Sequence, residues 1–176
     1  MPEDKLPLVT IGIPTYNRAN GFLQEALQSA VAQTYQNIEI IVSDNCSTDN
    51  TETIVNSFSD TRIKYVKQEK NIGAFNNMNF CVKEARGSFF HMLHDDDKID
   101  PDFIETCVNA IPKGHKPGVV FTGMRIIDEN ENIVSEFTNQ VEGFSGINFL
   151  LGWFELKIPL YFCSTLFNTK KLQEIG

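Results

Sequence analysis

Close cysteine pairs are absent from this chain. Its four cysteines, Cys46, Cys81, Cys107 and Cys163, are scattered, with no CxxC spacing. A zinc knuckle or a disulfide framework therefore has little sequence basis, and a reducing cytosol is the compartment that fits. No apolar run approaches the ~20 residues that cross a bilayer. The apolar stretch Phe149 to Phe154 is far too short, and Met1 to Pro7 is charged and lacks the apolar core of a secretory signal. These absences predict a cytoplasmic protein, with the inner face of the membrane left open as its place of work. Positive charge is scarce as well: 15 Lys and Arg stand against 23 Asp and Glu, a net charge of −8. That balance argues against a surface built to grip nucleic acid or anionic lipid. An anionic ligand would need local donors and a cation. The first loop also lacks the GxGxxG pattern, which removes dinucleotide-binding dehydrogenases, and sugar-nucleotide pyrophosphorylases lose their glycine-rich loop with it.

What is present suits one α/β domain over residues 1–176. Hydrophobic residues make up 41% of the chain and include 14 phenylalanines, enough for a sizeable core. Apolar runs predict strands at Leu8–Ile13, Ile38–Val42, Ile63–Val66 and Phe89–Leu93. Helical periodicity fills the gaps. Phe22, Leu23, Ala26, Leu27, Ala30 and Val31 mark a helix over roughly 20–33. Asp49 and Glu52 form a candidate capping box for a helix carrying Ile54, Val55 and Phe58. Phe75, Met78, Val82 and Ala85 mark a third helix, with Gly87 as its left-handed stop. Asp100 is a candidate cap for a fourth, with Pro101 at its first position. Such alternation predicts a mostly parallel sheet with helices on both faces. The second half is less regular. It suggests a strand at Val119–Phe121, a hairpin from Met124 to Val134 turning at Asp128-Glu129-Asn130, a short helix within 143–153 and a strand within 160–167. No repeat, low-complexity segment or linker is visible.

Three polar clusters fall at predicted strand ends: Pro14-Thr15-Tyr16-Asn17-Arg18, Ser43 to Asp49, and His94-Asp95-Asp96-Asp97. Ligands of open α/β sheets gather at that edge. Tyr16 offers an aromatic face to a base. Asp44 can accept a hydrogen bond from a ring N–H, as in uracil or guanine. Three consecutive carboxylates repel one another, and a hard divalent cation would relieve them. The plain alternatives are a turn, a helix cap and a solvated acidic surface.

Taken in order, these segments resemble family-2 glycosyltransferases with the GT-A fold. The resemblance rests on Val9 to Arg18, Glu39 to Asp49, Asn71-Ile72-Gly73, Asn79 before Ala85-Arg86-Gly87, and the acidic run with Pro101-Asp102. It implies that Pro14, Thr15 and Tyr16 frame the nucleotide base and Asp44 reads it. It implies that Asn71, Gly73 and Asn79 line the pocket beneath, with Asn45 beside Asp44 where many relatives carry a second Asp. Asp95 would lie near the ribose or sugar, and Asp96 would be the protein ligand to Mn²⁺ or Mg²⁺. His94 stands where the family's DxD motif often begins with Asp; it either modulates the site or is a plain loop residue.

The activity implied is inverting transfer of a sugar from a nucleoside-diphosphate sugar to a glycan or lipid-linked acceptor. A UDP-sugar suits Asp44 best, without excluding guanosine. The family's general base follows a phrase much like Leu166 to Gly176, so the expected base lies beyond Gly176. The chain is thus expected to be an N-terminal portion that binds donor and catalyses poorly. The alternative is a non-catalytic nucleotide-sugar-binding module. Trp153 could stack on an acceptor sugar or anchor a partly buried helix. Glu155, Asp128, His91 and His115 carry no mark of catalysis.

Overall fold

The computed structural model describes residues 6–139, 152 and 161–175. Among the described residues eight strands appear: β1 (Val9–Thr15), β2 (Ile38–Asp44), β3 (Ile63–Lys67), β4 (Phe89–Met92), β5 (Val119–Phe121), β6 (Met124–Ile127), β7 (Ile133–Phe137) and β8 (Thr165–Asn168). The helices described in full are α1 (Phe22–Val31), α2 (Thr51–Asn56), α3 (Ala74–Glu84), α4 (Phe103–Asn109) and α5 (Thr169–Ile175). Six strands form one sheet in the order β3-β2-β1-β4-β8-β5. The first four are parallel, as alternation of strands and helices requires, and β8 runs antiparallel between β4 and β5. The β6–β7 hairpin stands apart, its turn held by Asp128, whose carboxylate accepts the amides of Asn130 and Asn132. Among the described residues no helix is long and apolar enough to cross a membrane.

Each face of the sheet has its own core. Leu23, Ala26, Leu27 and Ala30 recur at helical spacing on α1 and pack with Val9, Ile11, Ile13, Ile40 and Val42. The opposite face is smaller: Cys81 and Ala85 of the α3 region meet Ile41, Phe90 and Met92. Gly12 makes that face possible, because a Cβ there would lie 2.7 Å from Phe90 and 2.8 Å from Cys81. Gln33 joins α1 to α4. Its amide group donates to the Asp100 carbonyl, and its Oε1 accepts the Ile104 amide.

Several local expectations are corrected. Asp49 makes no capping box with Glu52; its carboxylate accepts the Thr51 amide and hydroxyl and the Ala19 amide. Helix α4 starts two residues after Pro101, and the Asp100 carboxylate pairs with Arg125 instead of capping. Gly87 is not a left-handed stop. Helix α3 ends in an extended Ala85, and a Cβ on Gly87 would lie 2.6 Å from the Thr10 amide nitrogen. Its need is close backbone approach. Phe75 is exposed, since the inner face of α3 is the one bearing Asn77 and Cys81. The strand within 160–167 begins only at Thr165, after a 3₁₀ turn at Phe162–Ser164. The helix expected within 143–153, Trp153 and Glu155 lie outside the described residues, apart from Gly152.

One buried charge holds the closed end of the sheet. Glu39, 7% exposed, accepts from the Thr10 hydroxyl, the Arg86 amide and the Arg86 guanidinium. Burial opposes its ionised form, but these hydrogen bonds outweigh burial and hold its pKa below the usual value. A depressed carboxylate stabilises the fold above its unfolded pKa and loses that contribution as pH falls through the folded one. Glu39→Gln should therefore lower unfolding stability by about 1.5–3 kcal/mol at pH 7. In urea unfolding the gap between wild type and variant should close below about pH 4. A gap that is constant with pH would contradict this role for the charge.

Candidate functional site

The site grows from the order of the strands. β1 pairs with β2 on one side and β4 on the other, so the chain reverses direction of travel across the sheet between β1 and β4. Loops leaving a sheet at such a point part from one another and open a crevice. Here those loops carry Pro14–Arg18 and His94–Asp97.

Hydrogen bonds between side chain and backbone fix the first three loops to each other. The Asn17 amide, in left-handed backbone at φ 54°, donates to Ser47 Oγ at 2.8 Å, and Asn17 Oδ1 accepts the Thr48 amide at 2.9 Å. Asn45 Oδ1 accepts the Ile72 amide, and Asn45 Nδ2 donates to Asn71 Oδ1, which also accepts the Gly73 amide. Gly73, with φ 84°, starts α3 in a backbone state that suits glycine. Asp44 is 0% exposed. Its Oδ1 accepts the Ser47 amide at 2.8 Å, and its Oδ2 accepts the Tyr65 hydroxyl at 2.6 Å. Burial and this carboxylate together push the Tyr65 pKa up, so Tyr65 stays a donor. Asp44 thus organises its loop, and a base N–H would have to use a remaining lone pair.

Asn79 is not brought to these loops. It is exposed and lies beside Val82, Lys83 and Gln173, because two residues along a helix turn the side chain to the other face. Asn77 takes the inner position. It donates to the Ser43 carbonyl at 2.8 Å and accepts from Ser43 Oγ at 2.6 Å. The signal was helical spacing: Asn77 is four residues before the buried Cys81.

The acidic loop completes the edge. The Leu93 amide donates to the Gly12 carbonyl and carries the pairing of β4 one step further. Asp95 then lands near Thr15, Arg18 and the Tyr16 amide. Burial raises its pKa and Asp96 adds to the rise, while those three neighbours oppose it. Asp97 is raised by burial too, with Asp96 and Asp95 contributing and His94 opposing. His94 Nδ1 lies 3.6 Å from Asp97 Oδ2. Donor atoms of His94, Asp96 and Asp97 all fall within 4.8 Å of one another. Carboxylate oxygens with one imidazole nitrogen, in a loop where burial makes Asp95 and Asp97 resist ionisation, fit a divalent cation. Asp96, the residue expected to bind metal, belongs to this group; Asp97 and His94 extend it. Arg18, which belongs to the first polar cluster but has no role assigned from the sequence, brings its guanidinium to 3.7 Å from Asp95 and 3.5 Å from Asp96. Tyr16 is 45% exposed beside these groups, Pro14 is half-buried and Thr15 is buried.

Fold and edge together have the GT-A architecture, a mostly parallel sheet whose loops open a crevice between β1 and β4. The family model described as Glycosyl transferase family 2 matches residues 10–174, and the chain belongs to that family. An uncharacterized glycosyltransferase of Rickettsia typhi is 42% identical over 127 residues, which are 72% of this chain and 39% of that protein. Chondroitin synthase of Escherichia coli is 32% identical over 137 residues, 77% of this chain and 20% of the synthase. The chain thus spans well under half the length of these relatives. Among solved structures, S. aureus TarS 1-349 in complex with UDP-GlcNAc matches 57% of this chain and 30% of its own, at TM-score 0.54 and 28% identity. The mannosyltransferase PcManGT from Pyrobaculum calidifontis, in complex with GDP-Man and Mn²⁺, matches 97% of this chain and 47% of its own at TM-score 0.68; with 20% identity it supports the fold.

The two asparagines of α3 should separate cleanly. Asn77→Ala removes the acceptor of the buried Ser43 hydroxyl and a donor to the Ser43 carbonyl and should cost about 2–3 kcal/mol, whereas Asn79→Ala should stay within about 0.5 kcal/mol. Urea unfolding of both variants checks this, and equal losses would contradict the assignment.

Proposed function

We propose that this chain forms the donor-binding part of a glycosyltransferase that moves a sugar from a nucleoside-diphosphate sugar to an acceptor hydroxyl. The observation that carries this reading is the junction of the Tyr16 loop, the Asp44 loop and the acidic loop at one sheet edge, with three candidate metal donors grouped at its end. Tyr16 presents an exposed ring to the base, and Pro14 and Thr15 set the wall behind it. Asp44, with Asn45, Asn71 and Gly73, fixes the shape of the base pocket. A UDP-sugar is the favoured donor, since the ring N–H of uracil asks for one acceptor, whereas guanine presents an exocyclic amino group beside its ring N–H and asks for a second. Asp95 faces the ribose or sugar.

Asp96, supported by Asp97 and His94, would hold Mn²⁺ or Mg²⁺. When bound, that cation offsets the charge that develops on the leaving diphosphate. Transfer is inverting in this reading. The acceptor oxygen forms its bond to the anomeric carbon as the bond to the diphosphate breaks, and the acceptor's proton passes to a base that is assigned to no residue described here. The likeness to chondroitin synthase supports a growing glycan as acceptor.

Calorimetric titration with UDP, GDP and CDP, each with and without Mn²⁺, tests the reading. UDP should bind most tightly, and Mn²⁺ should strengthen binding at least tenfold. Asp96→Ala should abolish the metal-dependent part while leaving stability within about 0.5 kcal/mol, because the residue is exposed in a loop. Nucleotide binding that ignores both Mn²⁺ and Asp96 would overturn the site assignment.

A further inference from the structure

Arg18 stands in the loop after β1 and reaches across to the loop after β4. Its Nε lies 3.7 Å from Asp95 Oδ1 and its Nη2 lies 3.5 Å from Asp96 Oδ2. Asp96 is also one of the three grouped donors with His94 and Asp97. One carboxylate therefore faces an internal cation and a cation seat at once. An oxygen engaged by a guanidinium is a weaker ligand to a second cation, and a fixed positive charge a few ångströms away repels that cation directly.

The surroundings say which part of Arg18 can move. The residues on either side of it are tied down: the Asn17 amide donates to Ser47 Oγ, Asn17 Oδ1 accepts the Thr48 amide, and the Ala19 amide donates to Asp49 Oδ2. Its backbone is held to the second loop. Its side chain is 46% exposed and makes only those two long ion pairs among the interactions described, so it can leave the carboxylates without unpacking the core. A guanidinium is also a fork that matches phosphate oxygens.

We propose that Arg18 is the internal counter-ion of the acidic loop, exchanged for a divalent cation when one binds and turned then to the diphosphate of the nucleotide. This rests on the acidic loop being the cation seat. In this scheme Arg18 acts first through the carboxylates and then on the diphosphate itself. It keeps Asp95 and Asp96 together before the ligands arrive, and it moves to an anion when they do.

The exchange predicts effects of opposite sign on two ligands. Mn²⁺ alone is titrated calorimetrically into wild type, Arg18→Gln and Arg18→Lys, and UDP is then titrated at saturating Mn²⁺. Arg18→Gln should bind Mn²⁺ alone about three- to tenfold more tightly than wild type, because the competing charge is gone. Arg18→Lys keeps the charge and should stay within about twofold of wild type for the metal. With Mn²⁺ saturating, UDP should bind Arg18→Gln about tenfold more weakly. Melting temperatures should agree across the three proteins, since the side chain lies outside both cores. If wild type binds Mn²⁺ and Arg18→Gln binds it no better, the exchange is overturned and the seat stands. If wild type binds no Mn²⁺ even with UDP present, the seat itself is overturned and the exchange falls with it.

Discussion

The pairing of β1 on both of its edges is the constraint on which the rest depends. Seven residues of β1 align with β2, from Val9 opposite Ile38 to Thr15 opposite Asp44. Four align with β4, from Val9 opposite Phe89 to Gly12 opposite Met92. With these registers set, the polar segments after the three strands must leave the sheet side by side. Gly12 and Gly87 are the points where the arrangement is tightest. The first lets Phe90 and α3 close on the sheet, and the second lets the turn before β4 lie against β1. A side chain at either place would push β4 and its acidic loop away from Tyr16 and Arg18.

Buried polar groups hold this frame at both ends. At the closed end Glu39 collects Thr10 and Arg86. At the open end Asp44, Asn45 and Asn77 occupy the sites where backbone groups of the loops would otherwise lack partners. Their cost in solvation is met by hydrogen bonds of near-ideal length. Rigid loops follow, and a rigid pocket binds a ligand with less ordering to do on arrival. The acidic loop differs. Its carboxyls are crowded, two of them resist ionisation, and its internal cation is a half-exposed arginine at long range. It is the part of the edge still short of charge balance.

Much of this was legible in the sequence, and the reasons are physical. Buried parallel strands read as apolar runs, so β1 to β4 and their alternation with helices were plain. The strand ends, and with them Tyr16, Asp44 and Asp96, followed directly. The failures share one cause: a side chain's partner in another segment decided its role. Asp49 and Asp100 looked like caps, but the first is drawn to Ala19 and Thr51 and the second to Arg125. Gly87 looked like a helix stop, but backbone contact with β1 requires it. Asn77 and Asn79 are equivalent in composition and differ only in which face of α3 they occupy. Arg18 gave no signal of its own, because its meaning lies in two carboxylates some 80 positions away. The antiparallel insertion of β8 between β4 and β5 was hidden as well, since nothing in a short apolar run fixes its direction.

In the function proposed, the edge made by β1, β2 and β4 seats a nucleoside diphosphate beside a divalent cation held by the acidic loop. Crystals grown with UDP and Mn²⁺, measured at a wavelength where manganese scatters anomalously, locate the ion without ambiguity. One anomalous peak should lie between the diphosphate and the Asp96 carboxylate, with the uracil ring against Tyr16. UDP bound at this edge with no manganese at Asp96, or manganese held elsewhere on the chain, would contradict it.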